Sequence, residues 1–275
     1  MSRKVEREGS PVPPPEPLAV PVVDSHCHLD LMGDEVDRSM ELAASVGIRA
    51  VMTVGVDLES SRWSADAAAR HPDVWAAVAV HPNEAARGGA DASALADIEA
   101  LAQRPEVRAV GETGLDYFRT EDTAGWAAQE ASFRAHIAIA KTTGKALIIH
   151  DREAHDRVLA ILADEGAPPT TVIHAFSGDT EFARACASAG YLMSFAGNVT
   201  FKNAAGLREA AAVVPDDLLL VETDAPFLTP MPFRGRPNGP HLIPLTMRVL
   251  AEVRGEDLHR TCASVSANAR RAFGC

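Results

Sequence analysis

Five of the ten histidines and two acidic residues stand at the ends of short apolar runs in this sequence of 275 residues. The segments that contain them read VVDSHCHLD, AVHPN, GETGLDYF, IIHDREAH, VIHAFSG and VETDAPFLTP. Imidazole nitrogens and carboxylate oxygens are ligands of zinc and of other divalent ions. Their shared position at one end of several runs therefore predicts a metal centre. The residues concerned are His26, His28, His81, Glu112, His150, His174 and Asp224.

The first run ends in a His-x-His pair. In an extended segment, side chains two residues apart point to the same side, so His26 and His28 share a face and Cys27 points away. Two imidazoles placed in this way can bind one ion. The alternative is a pair of loop histidines without a ligand, but matching residues on other runs favour a metal site.

Three further candidate ligands follow separate runs. Glu112 comes directly after an apolar run, where desolvation of an unpaired carboxylate is costly and a metal ion would remove that cost. An ion pair with Arg119 is the alternative for Glu112. His150 and His174 end two neighbouring runs, and their alternative is that of core histidines with satisfied hydrogen bonds.

The last apolar run is followed by two carboxylates, Glu222 and Asp224. Both lie on one side of the chain if the strand remains extended there. Asp224 is closer to the rim at the carboxyl end of the strands, so we assign it the roles of metal ligand and catalytic base, with Glu222 as the alternative.

Substrate contacts are expected around these residues. His81 and Arg152 are the candidates for binding phosphate, since a guanidinium group suits phosphate geometry. An ion pair with Asp151 or Glu153 is the alternative for Arg152. Tyr117 could stack on a base or simply close the mouth of a barrel. The other histidines are interpreted as helix-surface or loop residues without a chemical role: His71, His136, His155, His241 and His259.

A repeated pattern of apolar run, polar turn and Ala-rich helical stretch must position these residues. Eight such strand–helix units predict a parallel sheet in the α/β class, closed as a (β/α)8 TIM barrel, with an open doubly wound sheet as the alternative. In such a barrel the active site lies at the carboxyl ends of the strands. The predicted strands cover Val20–Asp24, Ala50–Val56, Val74–Val80, Val107–Gly111, Ala146–Ile149, Thr171–Ile173, Tyr191–Phe195 and Leu218–Val221.

Composition narrows the class of protein. Residues 1–20 are charged and then rich in proline without an apolar core, which predicts a disordered lead-in to a single domain over 21–275. The four cysteines are scattered, which favours a reducing cytoplasm. A net charge of −12 disfavours a protein that coats duplex DNA, and no apolar stretch is long enough to span a membrane. Nothing in the sequence indicates an obligate protein partner.

The motifs DSHCHLD, VHPNEA, GETGLDY, IIHDREAH, VIHAFSG, ETDAPFLTP and NARRAF occur in this order from about residue 20 to residue 273. In these motifs the sequence resembles the TatD family of metal-dependent deoxyribonucleases, within the amidohydrolase superfamily. Family members often have Asn-Glu-Pro after the eighth strand, whereas this sequence reads RPNGP with Gly239 at the Glu position.

The resemblance implies two divalent ions, Zn, Mg or Mn, bridged by Glu112. It places one ion on His26, His28 and Asp224 and the other on His150 and His174. It also implies hydrolysis of phosphodiester bonds of DNA from the 3′ end of a single strand, by a water that the metals activate.

Two other functions remain open at this point. An amidohydrolase that cleaves a C–N bond or a carboxylic ester could use the same metal scaffold, since fold alone does not decide function. A metal-loaded binding protein without turnover is a third hypothesis, which the complete ligand set disfavours. Two ions would exceed the negative charge of Glu112, Asp224 and a bridging hydroxide, which favours a phosphate substrate.

Overall fold

A computed structural model of the protein describes residues 12–32 and 36–274. The chain divides into two compact units. Unit 1 contains the described residues up to Thr53 together with those from Gly178 onward, and unit 2 covers Val54–Ser177. The single domain over 21–275 therefore stays a prediction.

Strands and helices alternate along the described residues. The strands are β1 (Val22–Cys27), β2 (Ile48–Val54), β3 (Val74–Val78), β4 (Val107–Asp116), β5 (Ala146–Arg152), β6 (Thr171–Ile173), β7 (Leu192–Phe195) and β8 (Leu219–Val221). The helices are α1 (Leu29–Met32), α2 (Val36–Ser45), α3 (Leu58–Arg70), α4 (Pro82–Ala86), α5 (Ala92–Ala102), α6 (Thr123–Thr143), α7 (His155–Glu165), α8 (Thr180–Ser188), α9 (Ala205–Val213), α10 (Ile243–Arg254) and α11 (Leu258–Phe273). Each predicted strand overlaps one observed strand. Among the described helices, none has both the length and the hydrophobicity needed to cross a membrane.

Unit 1 pairs β1 with β2 and β7 with β8, both in parallel. A parallel bridge from Cys27 to Ala225 joins the end of β1 to the segment that follows β8. Every residue of β1, β7 and β8 is buried, as expected for short apolar strands covered on both faces. This pairing holds the carboxyl ends of β1 and β8 next to each other.

In unit 2, β3, β4, β5 and β6 pair in this order, all in parallel. The long helix α6 packs against β4. Its apolar face is buried at Phe133 and Ile137, which are at most 1% exposed. The helix ends at Gly144, whose φ of 67° is a left-handed conformation that glycine adopts without strain.

Two strands of unit 2 extend further than their apolar runs indicate. The sequence places Glu112 and His150 directly after strands, but β4 continues to Asp116 and β5 to Arg152. The register shifts between Val110 and Thr113, after which the two strands pair again up to Asp116 and Arg152. The strand boundaries predicted at residues 111 and 149 are therefore wrong, because polar residues with catalytic potential continue the ladder.

The predicted lead-in over residues 1–20 lies partly outside the described residues, which begin at residue 12. Within residues 12–20, Val12 and Leu18 are 3% and 5% exposed. The backbone N–H of Leu18 donates to the carbonyl of Val46 at 3.0 Å. Val12 and Leu18 are thus buried within unit 1, and the disordered lead-in over residues 1–20 stays a prediction.

Candidate functional site

Three potential ligands converge in unit 1. The Nε2 atoms of His26 and His28 lie 3.4 Å apart. Oδ1 of Asp224 lies 3.6 Å from Nε2 of His28 and 4.0 Å from Nε2 of His26. With Zn–N distances of about 2.0–2.1 Å, two tetrahedral ligands would be separated by about 3.3 Å. The residues therefore fit a divalent cation, and they form one of the donor groups that could hold such an ion.

The position of Asp224 is fixed from β1. Its φ of 51° is a left-handed conformation that Asp tolerates better than most residues, and its N–H donates to the carbonyl of His26 at 2.9 Å. The carboxylate of Asp24 accepts hydrogen bonds from the N–H and the hydroxyl of Thr223 at 2.9 and 2.5 Å. The loop that bears Asp224 is thus tied to the strand that bears His26.

The RPNGP segment also supports this loop. Nδ2 of Asn238 donates to the carbonyls of Thr223, at 3.0 Å, and of Phe227. A Cβ atom at Gly239 would lie 2.9 Å from Nδ1 of His241 and 3.3 Å from Cε of Met32. Glycine at this position lets both side chains approach the backbone, so the departure from the family pattern is accommodated by local packing.

In unit 2, three imidazoles surround one carboxylate oxygen. Oε1 of Glu112 lies 2.8 Å from Nδ1 of His150, 2.9 Å from Nε2 of His174 and 3.3 Å from Nε2 of His81. Nδ1 of His150 and Nε2 of His174 are 3.4 Å apart. Burial raises the pKa of Glu112, but the imidazoles more than offset this and hold that pKa well below its usual range. An ionised carboxylate beside converging ring nitrogens fits a divalent cation.

His81 differs from the other two imidazoles. It caps α4, and its Nδ1 accepts a hydrogen bond from the N–H of Asn83 at 3.0 Å. Burial lowers the pKa of His81, although Glu112 opposes the shift, so the ring is neutral and its proton is on Nε2. His81, Glu112 and His150 form a further donor group, yet a protonated Nε2 suits a phosphate oxygen better than a metal ion.

Asp116 is a member of the site that the sequence analysis missed. Its Oδ2 lies 3.2 Å from Nε2 of His150, the ring nitrogen that faces away from Glu112. Burial raises the pKa of Asp116, but hydrogen bonds from His150 and from the N–H of Arg119 lower it to about 2. The GETGLDY motif holds a usable signal, because residues 112 and 116 are four apart and share one face of a strand.

Arg152, the last residue of β5, lies next to an aromatic residue that follows β4. The guanidinium carbon of Arg152 lies 4.0 Å from the centre of the Phe118 ring, and Phe118 is 50% exposed. Tyr117 instead packs on Trp126 with ring centres 4.7 Å apart, and its hydroxyl donates to Glu130 at 2.9 Å. The exposed aromatic face next to Arg152 therefore belongs to Phe118, whereas Tyr117 is held by internal contacts.

Asp151 does not serve as the alternative partner proposed for Arg152. Its carboxylate lies 2.8 Å from Nδ1 of His155, at the start of α7, and also accepts from the N–H of Ala154. His155 is thus the first residue of α7 and makes a local contact, in agreement with its interpretation as a helix or loop residue.

The prediction that His136 is a surface residue is wrong. His136 is fully buried on the face of α6 that packs against the sheet. Its Nε2 accepts from the N–H of Val80 at 3.0 Å, and its Nδ1 donates to the carbonyl of Ser132 at 2.7 Å. Val80 directly precedes His81, so His136 holds the end of the segment that positions the phosphate-binding candidate.

This environment makes stability depend on pH. Burial lowers the pKa of His136 to about 4, partly offset by Ser132, compared with about 6.5 in an unfolded chain. Because the unfolded state binds more protons between these values, the contribution is present above pH 6.5 and is lost as pH falls towards 4. We expect the free energy of unfolding to lose up to about 3 kcal/mol through this group.

Urea unfolding of the wild type and of His136→Gln at pH 7 and pH 4.5 measures this contribution. The variant should be less stable at pH 7 by about 1–3 kcal/mol, because a buried hydrogen bond is perturbed. The difference between the two proteins should shrink at pH 4.5. A constant difference across this pH range would contradict the assignment.

Comparison with known proteins places the chain in a family. Residues 23–274 match the family described as TatD related DNase. A relative from Mycobacterium tuberculosis (strain ATCC 25618 / H37Rv), an uncharacterized metal-dependent hydrolase named TatD, is 45% identical over 260 residues, covering 92% of this chain and 98% of the relative. A 3′-5′ ssDNA/RNA exonuclease named TatD from Citrobacter rodentium is 33% identical, covering 86% and 91%.

Similarity to a solved structure supports the same family assignment. The TatD homologue YJJV from Escherichia coli K12 matches with a TM-score of 0.86 and 28% identity, covering 92% of this chain and 98% of that one. The predicted (β/α)8 TIM-barrel fold class is thereby confirmed, as is the predicted family. The chain belongs to the TatD family of metal-dependent hydrolases.

Proposed function

We propose that this enzyme hydrolyses phosphodiester bonds at the 3′ ends of single-stranded DNA with two divalent ions. The observation that carries the proposal is the pair of donor groups, His26–His28–Asp224 in unit 1 and the carboxylate of Glu112 among imidazoles in unit 2. The names of relatives as ssDNA/RNA exonucleases support the substrate class.

In this proposal, His26, His28 and Asp224 bind one ion, and Glu112, His150 and His174 bind the other. A bridging role of Glu112 is supported by the family resemblance. Imidazole-rich sites suit zinc, and the carboxylates are compatible with magnesium or manganese. Bound divalent ions would supply charge stabilisation for the phosphoryl oxygens and would lower the pKa of the attacking water.

The protein's own residues would orient the substrate and move a proton. Asp224, whose side chain is 14% exposed, would accept the proton of the attacking water at its carboxylate. The Nε2–H of His81 and the guanidinium of Arg152 would donate hydrogen bonds to the phosphate. Tyr117 remains a candidate for base stacking, although its internal contacts make Phe118 the better platform.

The compartment follows from the cysteines. Cys27 and Cys262 are buried free thiols. We propose a cytoplasmic enzyme, because thiols remain reduced in that compartment.

Cleavage of labelled DNA tests the proposed activity. Linear single-stranded, linear duplex and circular single-stranded DNA, each incubated with magnesium, manganese or zinc, should show preferential loss of nucleotides from the linear single strand. Equal cleavage of circular and linear single strands would contradict an end-directed enzyme. Failure to cleave DNA with any metal, together with turnover of an amide or a lactone, would favour an amidohydrolase.

Asp116 is expected to act as a positioning residue for His150. Its carboxylate accepts from Nε2 of His150 and thereby leaves Nδ1 for the ion, an arrangement typical of metal-binding histidines. We expect Asp116→Ala to weaken metal binding about 10- to 100-fold, and Asp116→Asn, which keeps an acceptor oxygen, to cost less.

Calorimetric titration with Zn²⁺ measures the affinity, and NMR of the ring nitrogens reports the tautomer of His150. Asn83→Ala is the matched control, because it removes a different side-chain partner of Asp116, whose Oδ2 lies 3.2 Å from Nδ2 of Asn83. Equal losses in Asp116→Ala and Asn83→Ala would reduce the role of Asp116 to packing.

A further inference from the structure

Acidic residues are distributed unevenly in this chain. Although 38 of the 275 residues are Asp or Glu, the segments 182–208 and 225–251 contain neither. In unit 1 these segments supply the loop after β7 and most of the loop after β8. The second of them begins directly after Asp224, so a segment without acidic residues follows the proposed catalytic base in the sequence.

The two loops are packed together. The N–H of Met231 donates to the hydroxyl of Thr200 at 2.7 Å. A Cβ atom at Gly197 would lie 2.1 Å from the carbonyl oxygen of Leu228, so only glycine permits this approach without a shift of the backbone. The hydroxyl of Thr229 donates to the carbonyl of Arg236 at 2.7 Å and closes the second loop on itself. The loops therefore form one continuous surface.

Cations and aromatic rings alternate on this surface. The guanidinium carbon of Arg234 lies 4.3 Å from the centre of the Phe201 ring, and that of Arg236 lies 5.5 Å from the centre of the Phe233 ring. Lys202 is exposed next to Phe201. Stacking on a ring holds a guanidinium group in place without neutralising its positive charge.

The backbone of Phe201 is itself fixed. The guanidinium of Arg208 donates to the carbonyls of Val199 and Phe201 at 3.1 and 2.6 Å. Arg208 thus holds the backbone of the loop, while the guanidinium group of Arg234 lies over the Phe201 ring. This ordering lowers the entropic cost of binding a ligand on the surface.

From these observations, we infer that Lys202, Arg234 and Arg236, with Phe201 and Phe233, form a binding surface for the phosphodiester backbone of single-stranded nucleic acid. The inference rests on the proposed function and extends it from the cleaved phosphate to nucleotides farther along the strand. Three cations on two loops suit several consecutive phosphates, and the partly exposed rings of Phe201 and Phe233 suit unpaired bases. The net charge of −12 disfavours binding of nucleic acid elsewhere on the protein, so a local group of cations would decide where it binds.

Binding of oligonucleotides tests the inference separately from catalysis. Fluorescein-labelled oligo-dT of 3, 6 and 12 nucleotides is titrated with Asp224→Asn protein, with and without Lys202→Ala, Arg234→Ala and Arg236→Ala combined. We expect the combined variant to raise the Kd of the 12-mer at least about 10-fold, and that of the 3-mer much less. The slope of log Kd against log salt should fall by about 2, at about 0.7 per phosphate contact on a single strand.

The combined variant Arg38→Ala, Arg70→Ala and Arg184→Ala is the matched control, since it removes the same charge from other exposed positions. It should leave the Kd of the 12-mer within about twofold. Equal losses in both variants, or a loss independent of length, would overturn the inference. Circular dichroism melting shows whether each variant is folded, and in a folded variant Phe201→Leu alone should already weaken binding of the 12-mer.

The outcomes also separate the inference from the proposed function. If the wild type cleaves single-stranded DNA while the combined variant binds the 12-mer normally, the surface is not used and the function stands. If no phosphodiester is cleaved but the length-dependent loss is observed, the nuclease assignment fails and the binding surface stands. Displacement of the 12-mer by polyglutamate as readily as by unlabelled oligo-dT would overturn the assignment to nucleic acid.

Discussion

Glu112→Gln is expected to lower bound metal and hydrolysis together, with kcat/KM reduced on the order of 10³-fold or more. The physical reason is charge. Oε1 of Glu112 is the common neighbour of three imidazole nitrogens within 3.3 Å, and an amide brings no negative charge to balance a cation there. The amide also offers N–H groups that can point at the ring nitrogens instead of leaving them to the ion.

Elemental analysis of the purified variant, together with its rate on a single-stranded oligonucleotide, measures both effects. Glu59→Gln is the matched control, because Glu59 is an exposed residue of α3 in the same unit and loses the same charge. The control should keep the metal content and the rate of the wild type. Normal metal content in Glu112→Gln would remove this residue from the ligand set.

The strands and the candidate ligands could be predicted because both depend on local patterns. Short apolar runs identify parallel strands, and polar residues that interrupt such runs are conspicuous. The pair His26 and His28 needed only the alternation of an extended chain. Which side chains point to the same side of a strand depends on only a few consecutive residues, so it can be predicted from the sequence.

The strand boundaries were less predictable, because they do not depend on the local apolar pattern alone. In β4 the chain continues past Glu112 to Asp116, and its pairing with β5 resumes at Thr113 after a register shift, although the apolar pattern has ended. Local hydrophobicity indicates burial by apolar neighbours, whereas these residues are buried among polar ones. Asp116, 1% exposed beside His150, was overlooked on this account.

Hydrogen bonds between distant segments were also beyond the reach of local patterns. His136 contacts the backbone of Val80, which is 56 residues away in the sequence. The proton position on His81 follows from a hydrogen bond with the N–H of Asn83 that only the folded loop creates. The contact between Arg234 and Phe201 likewise requires two loops to meet. Such contacts decide what a side chain can do, and they depend on three-dimensional packing.

Asp224→Asn is expected to lower kcat on the order of 10²- to 10⁴-fold while metal content at saturating metal stays near that of the wild type. Asn keeps an oxygen that can bind the ion beside His26 and His28, but it cannot accept the proton of the attacking water. Glu222 is the competing base. It is fully buried, whereas the Asp224 side chain is 14% exposed, so Asp224 is the carboxylate that the substrate water can reach.

Rates and metal content of Asp224→Asn and Glu222→Gln, measured side by side, decide between the two bases. Asp217→Asn serves as the control, because Asp217 is an exposed acidic residue of the same unit. The decisive quantity is the ratio between the loss of kcat and the loss of bound metal. A ratio near one for Asp224→Asn would make Asp224 a ligand without a proton-transfer role. A large ratio for Glu222→Gln alone would assign the proton-transfer role to Glu222. Because its carboxylate is buried, Glu222 would then act through an ordered water that links it to the substrate.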